Sequence, residues 1–127
     1  MASTPWPPLK KSVMPMAFDV RMTGYARHRL SETVSFIQHV CGNASYATKL
    51  LNATRDVVEQ LKTQEGFRIV DHDISDLVGE VIYRIRIGKY KLVYRVKPEQ
   101  KVILIFLFMH ESQPLNDEIV LSYKDNN

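Results

Sequence analysis

The chain has 127 residues, 45% of them hydrophobic, and a formal net charge of +3. That length suits one domain with its own core and excludes a second. The single cysteine, Cys41, excludes an internal disulfide, the four histidines lack metal-ligand spacing, and no apolar run approaches the ~20 residues of a membrane span. We therefore expect a cytoplasmic protein, outside the membrane, that uses neither a metal nor another cofactor.

Residues 1–16 differ in composition from the rest of the chain. They hold four of the six prolines and lack the apolar core of a signal peptide. This composition predicts a disordered leader followed by a single domain over residues 17–127, and it leaves Met14 and Met16 open as alternative starts.

A short strand and a helix are predicted at the start of the domain. Residues 18–20 alternate apolar and polar side chains, as in a strand. From Ser31 the apolar spacing becomes helical, and Gly42 follows as a terminator. The predicted apolar face of this helix consists of Leu30, Val34, Ile37 and Cys41.

A second helix is predicted directly after Gly42. Asn43 or Ser45 can cap it, and its apolar residues recur at i, i+3, i+4 and i+7 as far as Leu61. Charged and polar side chains occupy the opposite side. We therefore expect this helix to pack on the core through one face.

Strand patterns dominate the second half of the domain. Residues 67–70 are apolar enough for a strand, whereas residues 71–80, DHDISDLVGE, resemble an acidic turn. The unbroken apolar run 102–108 favours a strand covered on both faces. Residues 114–127 fit either a short helix from Asn116 or a last strand. This order predicts an α+β domain: a small antiparallel sheet of about four strands with two N-terminal helices packed on one face.

Residues 83–96, YRIRIGKYKLVYRV, contain the clearest pattern. With Gly88 and Lys89 as a two-residue turn, direct pairing divides the hairpin into an apolar face and a cationic face. The predicted apolar pairs are Ile87 with Tyr90, Ile85 with Leu92, Tyr83 with Tyr94 and Val81 with Val96. The other face pairs Arg86 with Lys91, Arg84 with Val93 and Ile82 with Arg95.

The cationic face predicts a negatively charged partner. Residues 81–97 contain six Lys and Arg residues and no carboxylate, which leaves −3 for the rest of the chain. A like-charge cross-strand pair such as Arg86 and Lys91 is unfavourable when nothing neutralises it. Localised positive charge of this kind favours a polyanion or an acidic protein as partner, with a solvated surface as the alternative.

This hairpin, preceded by LVGEV and followed by VILIFLF, resembles the core signature of the RelE/ParE superfamily of bacterial toxins. The two upstream helices, ending in LKTQEGF, fit the same pattern, and the resemblance covers residues 18–111. It implies a cytoplasmic toxin of a type II toxin-antitoxin system and a cognate antitoxin that masks the active surface. RelE-like members cut messenger RNA on the ribosome, whereas ParE-like members inhibit DNA gyrase.

The resemblance also implies cationic site residues for metal-free RNA cleavage. Arg84 and Arg86 match the alternating basic pair of RelE-like enzymes, and Lys91 matches the basic residue after the turn, where it replaces an arginine. These cations would stabilise the charge that develops on the phosphate. Further phosphate contacts are expected from Lys89, Arg95 and Lys97.

Proton transfer is assigned to residues outside the hairpin. His110, directly after the last apolar strand, is the expected proton-transfer group, with Glu111 orienting it. Residues 71–73 precede the hairpin where some family members place an acidic base, although three successive polar residues are also typical of a turn.

Two features depart from the pattern of RelE-like enzymes. The stretch HESQPLND after the last strand has no arginine, and the next aromatic residue is Tyr123. The leading interpretation is a ribosome-dependent messenger-RNA endoribonuclease that inhibits translation. A ParE-like gyrase inhibitor and a catalytically weak antitoxin-binding module are the alternatives. In each case we expect the antitoxin to lay a helix across the two helices or to add a strand at the sheet edge, with its acids near the hairpin cations.

Overall fold

The computed structural model describes residues 18–63 and 69–124. The predicted leader, residues 1–16, lies outside the described residues. In chain order the elements are β1 (Asp19–Met22), α1 (Gly24–Ser35), a π-helical segment (Phe36–Val40), α2 (Ala44–Leu61), β2 (Ile69–Val70), α3 (His72–Val78), β3 (Tyr83–Ile87), β4 (Tyr90–Lys97), β5 (Val102–His110) and α4 (Asp117–Lys124).

The strands form one mixed sheet in the order β1-β5-β4-β3-β2. Strands β2 to β5 pair antiparallel, whereas β1 pairs parallel with β5. The chain leaves β1 at one edge, passes through α1 and α2, and re-enters the sheet at β2 on the other edge. The predicted α+β class is confirmed. The sheet has one strand more than expected and one parallel pairing that the sequence did not indicate.

Side-chain caps fix the start of both N-terminal helices. Thr23 Oγ1 accepts a 3.1 Å hydrogen bond from the backbone N–H of Ala26, so α1 begins at Gly24. The predicted start near Ser31 was wrong because the first turns of α1 are mostly polar, which hides the helical period. Asn43 is one of the two predicted caps of α2. Its Oδ1 accepts a 3.0 Å hydrogen bond from the backbone N–H of Tyr46.

The β3–β4 hairpin has the predicted register. The pairs are Tyr83 with Tyr94, Arg84 with Val93, Ile85 with Leu92, Arg86 with Lys91 and Ile87 with Tyr90. Gly88, in the turn, has a φ of +62°, a conformation that glycine adopts without a Cβ clash. The pairs predicted for Val81 and Ile82 fall outside the ladder, because β3 begins at Tyr83.

The apolar face of the hairpin packs against α1 and α2. Ile85, Leu92 and Tyr94 are buried there, in one cluster with Leu50 of α2. Burial of a large apolar side chain contributes roughly 1.5–3 kcal/mol. This face of the sheet therefore supplies the main core, as the hairpin pattern predicted.

The opposite face carries a second apolar cluster beneath α3 and α4. Ile74 of α3 and Ile119 of α4 pack there with Val93 of β4. The prediction of an acidic turn over residues 71–80 was wrong, because Asp71 caps a seven-residue helix that ends at a left-handed Gly79. Of the two alternatives for the C-terminal segment, the helix is correct.

Helix α4 is tied to the rest of the fold by tyrosines. Burial, together with a hydrogen bond to Glu118 of α4, raises the pKa of Tyr25 to about 12. Tyr123 of α4 packs edge-on against Phe106 with a centroid distance of 5.5 Å. These contacts hold α4 over the second cluster. None of the helices within the described ranges is long and apolar enough to cross a membrane.

A β-bulge in β5 determines which face the end of the strand occupies. The register between β4 and β5 shifts at Phe106, which has no partner in β4. Phe106 and Leu107 consequently both pack in the second cluster. Alternation resumes with Phe108 in the main core, and this places His110 on the α1–α2 side of the sheet. Without the bulge, His110 would lie on the side of the cations.

Candidate functional site

Three predicted site cations share one cavity, on the side of the sheet opposite α1 and α2. Arg84 and Arg86 are alternate residues of β3 and so share a face, and Lys91 of β4 lies directly opposite Arg86. We call this space the cation cavity. It has a volume of about 290 Å³ and is lined by Asp71, His72, Asp73, Arg84, Arg86, Lys91 and Glu111.

Asp71 forms the floor of the cation cavity. Its side chain is only 2% exposed, and Oδ2 accepts a 2.6 Å hydrogen bond from Lys91 Nζ. Arg84 Nη1 lies 3.9 Å from the same oxygen, while Oδ1 accepts the capping bond from the Ile74 N–H at 3.0 Å. Both carboxylate oxygens are therefore engaged by groups of the chain itself.

The charge state of Asp71 follows from these contacts. Burial acts to raise the pKa of its carboxyl. The hydrogen bonds from Lys91 and from the Ile74 N–H, together with the charges of Lys91 and Arg84, outweigh burial and hold the pKa below its ordinary value of 3.8. Asp71 is thus an ionised, buried partner for two of the cations.

The other cations of the predicted site are also paired or lie elsewhere. Arg86 Nη2 contacts Glu111 Oε1 at 2.7 Å in an exposed pair. Arg95 contacts Glu80 at 3.1 Å, and its guanidinium lies 4.9 Å from the centre of the Tyr123 ring. Lys89, in the turn, and Lys97, at the end of β4, do not line the cation cavity.

The sequence predicted that the cations of the hairpin have no neutralising carboxylate of the chain beside them. That prediction was wrong for four of these cations. Arg84, Arg86, Lys91 and Arg95 each have a carboxylate of the chain within 4 Å. The three acids, Asp71, Glu80 and Glu111, come from outside the hairpin, where the local charge count did not include them. The like-charge contact of Arg86 and Lys91 is relieved by the chain itself.

His110 lies apart from the cation cavity. Its ring packs edge-on against Tyr90 with a centroid distance of 5.1 Å, on the α1–α2 side of the sheet. It lines a different cavity from the one that contains Glu111. Two neighbours in sequence thus point to opposite sides of the sheet, and Glu111 instead pairs with Arg86.

The cation cavity has a balanced charge. Three cations face Asp71, Asp73 and Glu111, so an anion that enters the cavity competes with carboxylates of the chain. The Arg86–Glu111 pair is the easiest to open because both side chains are exposed, whereas Asp71 is buried. His72 lies in the lining next to Asp71, in the segment where the sequence placed a candidate base.

Asp71 is the residue whose role the sequence indicated least clearly. The stretch DHD was ambiguous between a turn and a base. The available signal was its spacing, because an aspartate three residues before an apolar Ile74 can be a helix N-cap. That signal identifies the cap but not the pairing with Lys91, which depends on the tertiary fold.

The sheet with a helical pair on one face and the basic β3–β4 hairpin are the features that the resemblance to the RelE/ParE superfamily implied. The family model described as the ParE toxin of the type II toxin-antitoxin system parDE matches residues 20–115. The chain belongs to this family. Among curated proteins, no relative matches it.

Solved structures similar to the chain include two toxin-antitoxin complexes. One is a chain of the RelBE2 toxin-antitoxin complex from Mycobacterium tuberculosis, with 22% identity, a TM-score of 0.47, and coverage of 76% of this chain and 94% of that one. The other belongs to the archaeal RelE-RelB complex from Pyrococcus horikoshii OT3, with 17% identity, a TM-score of 0.46, and coverage of 77% and 99%.

Proposed function

We propose that this toxin inhibits DNA gyrase by binding to it, and that it does not cleave RNA. The proposal takes the gyrase branch of the two that the family resemblance implies. The observation that carries it is the position of His110 on the side of the sheet opposite Arg84, Arg86 and Lys91.

RNA cleavage without a metal makes specific demands on a site. One group must activate the ribose 2′-hydroxyl, another must protonate the leaving oxygen, and cations must stabilise the phosphate, all around one phosphodiester. The expected proton-transfer residue, His110, does not share a cavity with the cations. Asp71, the carboxylate that contacts Lys91, accepts a hydrogen bond at each oxygen, and its lowered pKa makes it a weak base.

The ion pairs of the cation cavity also favour a protein target over RNA. Phosphate binding would require Arg86 to leave Glu111 and Lys91 to leave a buried carboxylate. Separating a buried pair is unfavourable, since it leaves an uncompensated charge. Inhibition by surface contact requires neither rearrangement.

One observation favours the endoribonuclease as a second candidate. The cation cavity brings His72 together with Arg84, Arg86 and Lys91, so a histidine and three cations line one space. A phosphate that displaced Glu111 from Arg86 would bring RNA beside His72. Primer extension on cellular messages separates the candidates, because only cleavage creates new 5′ ends near codon boundaries.

We also propose that the cognate antitoxin is held in the groove between α1 and α2. This groove has a volume of about 580 Å³ and an apolar lining that includes Leu30, Leu51 and Val58. Arg27 and Arg55 line it as well, together with one acid, Glu59, so its charged lining is net positive. An amphipathic helix with acidic residues beside its apolar stripe matches this combination. Rescue of growth by co-expression of an adjacent reading frame tests the partnership.

A further inference from the structure

A second cavity, on the α1–α2 side of the sheet, is unrelated to the cation cavity. It has a volume of about 430 Å³, within the range of small-ligand sites. Its lining includes Arg29, Glu32, Phe36, Tyr90, His110 and Gln113. We propose that this cavity, which we call the aromatic cleft, binds a nucleobase, carried either by a free nucleotide or by single-stranded nucleic acid.

Aromatic rings dominate the inner wall of the aromatic cleft. Tyr90 and Phe108 lie nearly parallel, 5.2 Å between centroids with an interplanar angle of 12°, and His110 meets Tyr90 at 89°. Phe36, from the π-helical segment, is 55% exposed although it is a large apolar side chain. Phe108 is only 1% exposed and Tyr90 is half-buried, so Phe36 offers the exposed ring face on which a base can stack, with about 1–3 kcal/mol per base in known examples.

His110, which lines this cleft, is held in one tautomer by its contact with Ser112. The backbone N–H of Ser112 donates to His110 Nδ1 at 3.1 Å, so Nδ1 is the acceptor nitrogen. In the neutral ring the proton is therefore on Nε2. The turn that follows β5 thus fixes the tautomer, and a donor of fixed position is suited to a ring nitrogen or carbonyl of a base.

The rim of the cleft combines donors and an acceptor. Arg29 Nη2 donates to Gln113 Oε1 at 3.0 Å, which leaves the amide NH₂ of Gln113 and further guanidinium N–H groups as donors. Glu32 supplies a carboxylate, which is also 3.3 Å from His28. A nucleobase is planar, stacks, and offers donors and acceptors on its edge. A bare phosphate offers acceptors only and has no face that can stack on Phe36.

This inference goes beyond the proposed inhibition of gyrase and does not depend on it. The cleft and the cation cavity lie on opposite sides of the sheet, and none of the residues that line one lines the other. Binding is therefore measured directly, with no toxicity readout.

The test is a titration of the full-length protein with GMP, AMP, CMP and UMP, and separately with a single-stranded tetranucleotide. Calorimetry gives Kd, and NMR follows the His110 ring. We expect saturable binding with changes in the NMR chemical shifts of the His110 ring. The Kd of Phe36→Ala should be about tenfold higher, because this variant loses one stacking contact. Val40→Ala is the matched control, because Val40 is 70% exposed on the same segment and does not line the cleft.

The outcomes are distinct. Binding of a mononucleotide identifies the free nucleotide as the source, and binding of the tetranucleotide alone identifies a base in a single strand; both support the site. Absence of saturable binding by all five probes overturns the proposal. Equal Kd values for Phe36→Ala and Val40→Ala, with thermal unfolding unchanged in both variants, overturn it as well.

Discussion

Lys91 donates a 2.6 Å hydrogen bond to Asp71, a carboxylate that is 2% exposed and that also caps α3. This contact links β4 to α3 across 20 residues of sequence. Lys91, which the family resemblance assigned to catalysis as a cation that stabilises charge on the phosphate, is thus part of the internal structure. Its consequences for stability can be measured independently of any target.

Removal of the Asp71 carboxylate is expected to destabilise the fold. In Asp71→Ala, α3 loses its cap and Lys91, whose side chain is 16% exposed, loses its closest anion. We expect the free energy of unfolding to fall by about 3 kcal/mol, as for other broken buried pairs. Urea denaturation measures this change. Asp73→Ala, an exposed change in the same helix, is the control, and an equal loss in both variants would contradict the structural role of Asp71.

The same pair predicts a pH dependence of stability. The folded-state pKa of Asp71 lies below the ordinary value of 3.8, so its contribution is present above that pH and is lost as the pH falls through the folded-state pKa. We expect the stability difference between the parent and Asp71→Asn to be largest near neutral pH and to shrink below about pH 3.8. Denaturant unfolding at several pH values tests this. A difference that stays constant into acid would show that the carboxylate charge is not involved.

Docking of the antitoxin in the α1–α2 groove predicts a separation of toxicity from neutralisation. Leu51→Lys places a charge in the apolar groove, whereas Asn52→Lys places the same charge on the exposed side of the same helix. We expect both variants to arrest growth. Only the Leu51→Lys variant should resist neutralisation, because its affinity for the antitoxin falls by about tenfold or more relative to the parent. Growth on co-expression and calorimetry with the purified antitoxin measure this. Equal neutralisation of both variants by the antitoxin would exclude the α1–α2 groove as its binding site.

The hairpin shows how far the sequence predicts this molecule. Glycine in the turn and the period of two are local signals, and they predicted every pair of the β3–β4 ladder from Tyr83 to Tyr94. The same alternation failed in β5, because Phe106 is an extra residue within an unbroken apolar run where nothing marks a bulge. That one residue separates His110 from the cations.

The pairing of the cations shows a second limit. A charge count along residues 81–97 gives six cations and no acid, and the inference of a free positive surface followed from it. The neutralising groups Asp71, Glu80 and Glu111 are distant in sequence from the cations that they contact. The strand β1 was likewise predicted, but its parallel pairing with β5 depends on the path of the helical pair. Tertiary contacts of this kind have no local signal.

The most direct test of the account is a DNA gyrase supercoiling assay with the purified toxin, run beside primer extension in a translating extract. The parent, Arg86→Ala and His110→Ala are compared at equal concentration. We expect all three to inhibit supercoiling to a similar degree and none to create new 5′ ends in messenger RNA. Unimpaired supercoiling together with new 5′ ends that disappear in Arg86→Ala or His110→Ala would contradict the account and establish the endoribonuclease.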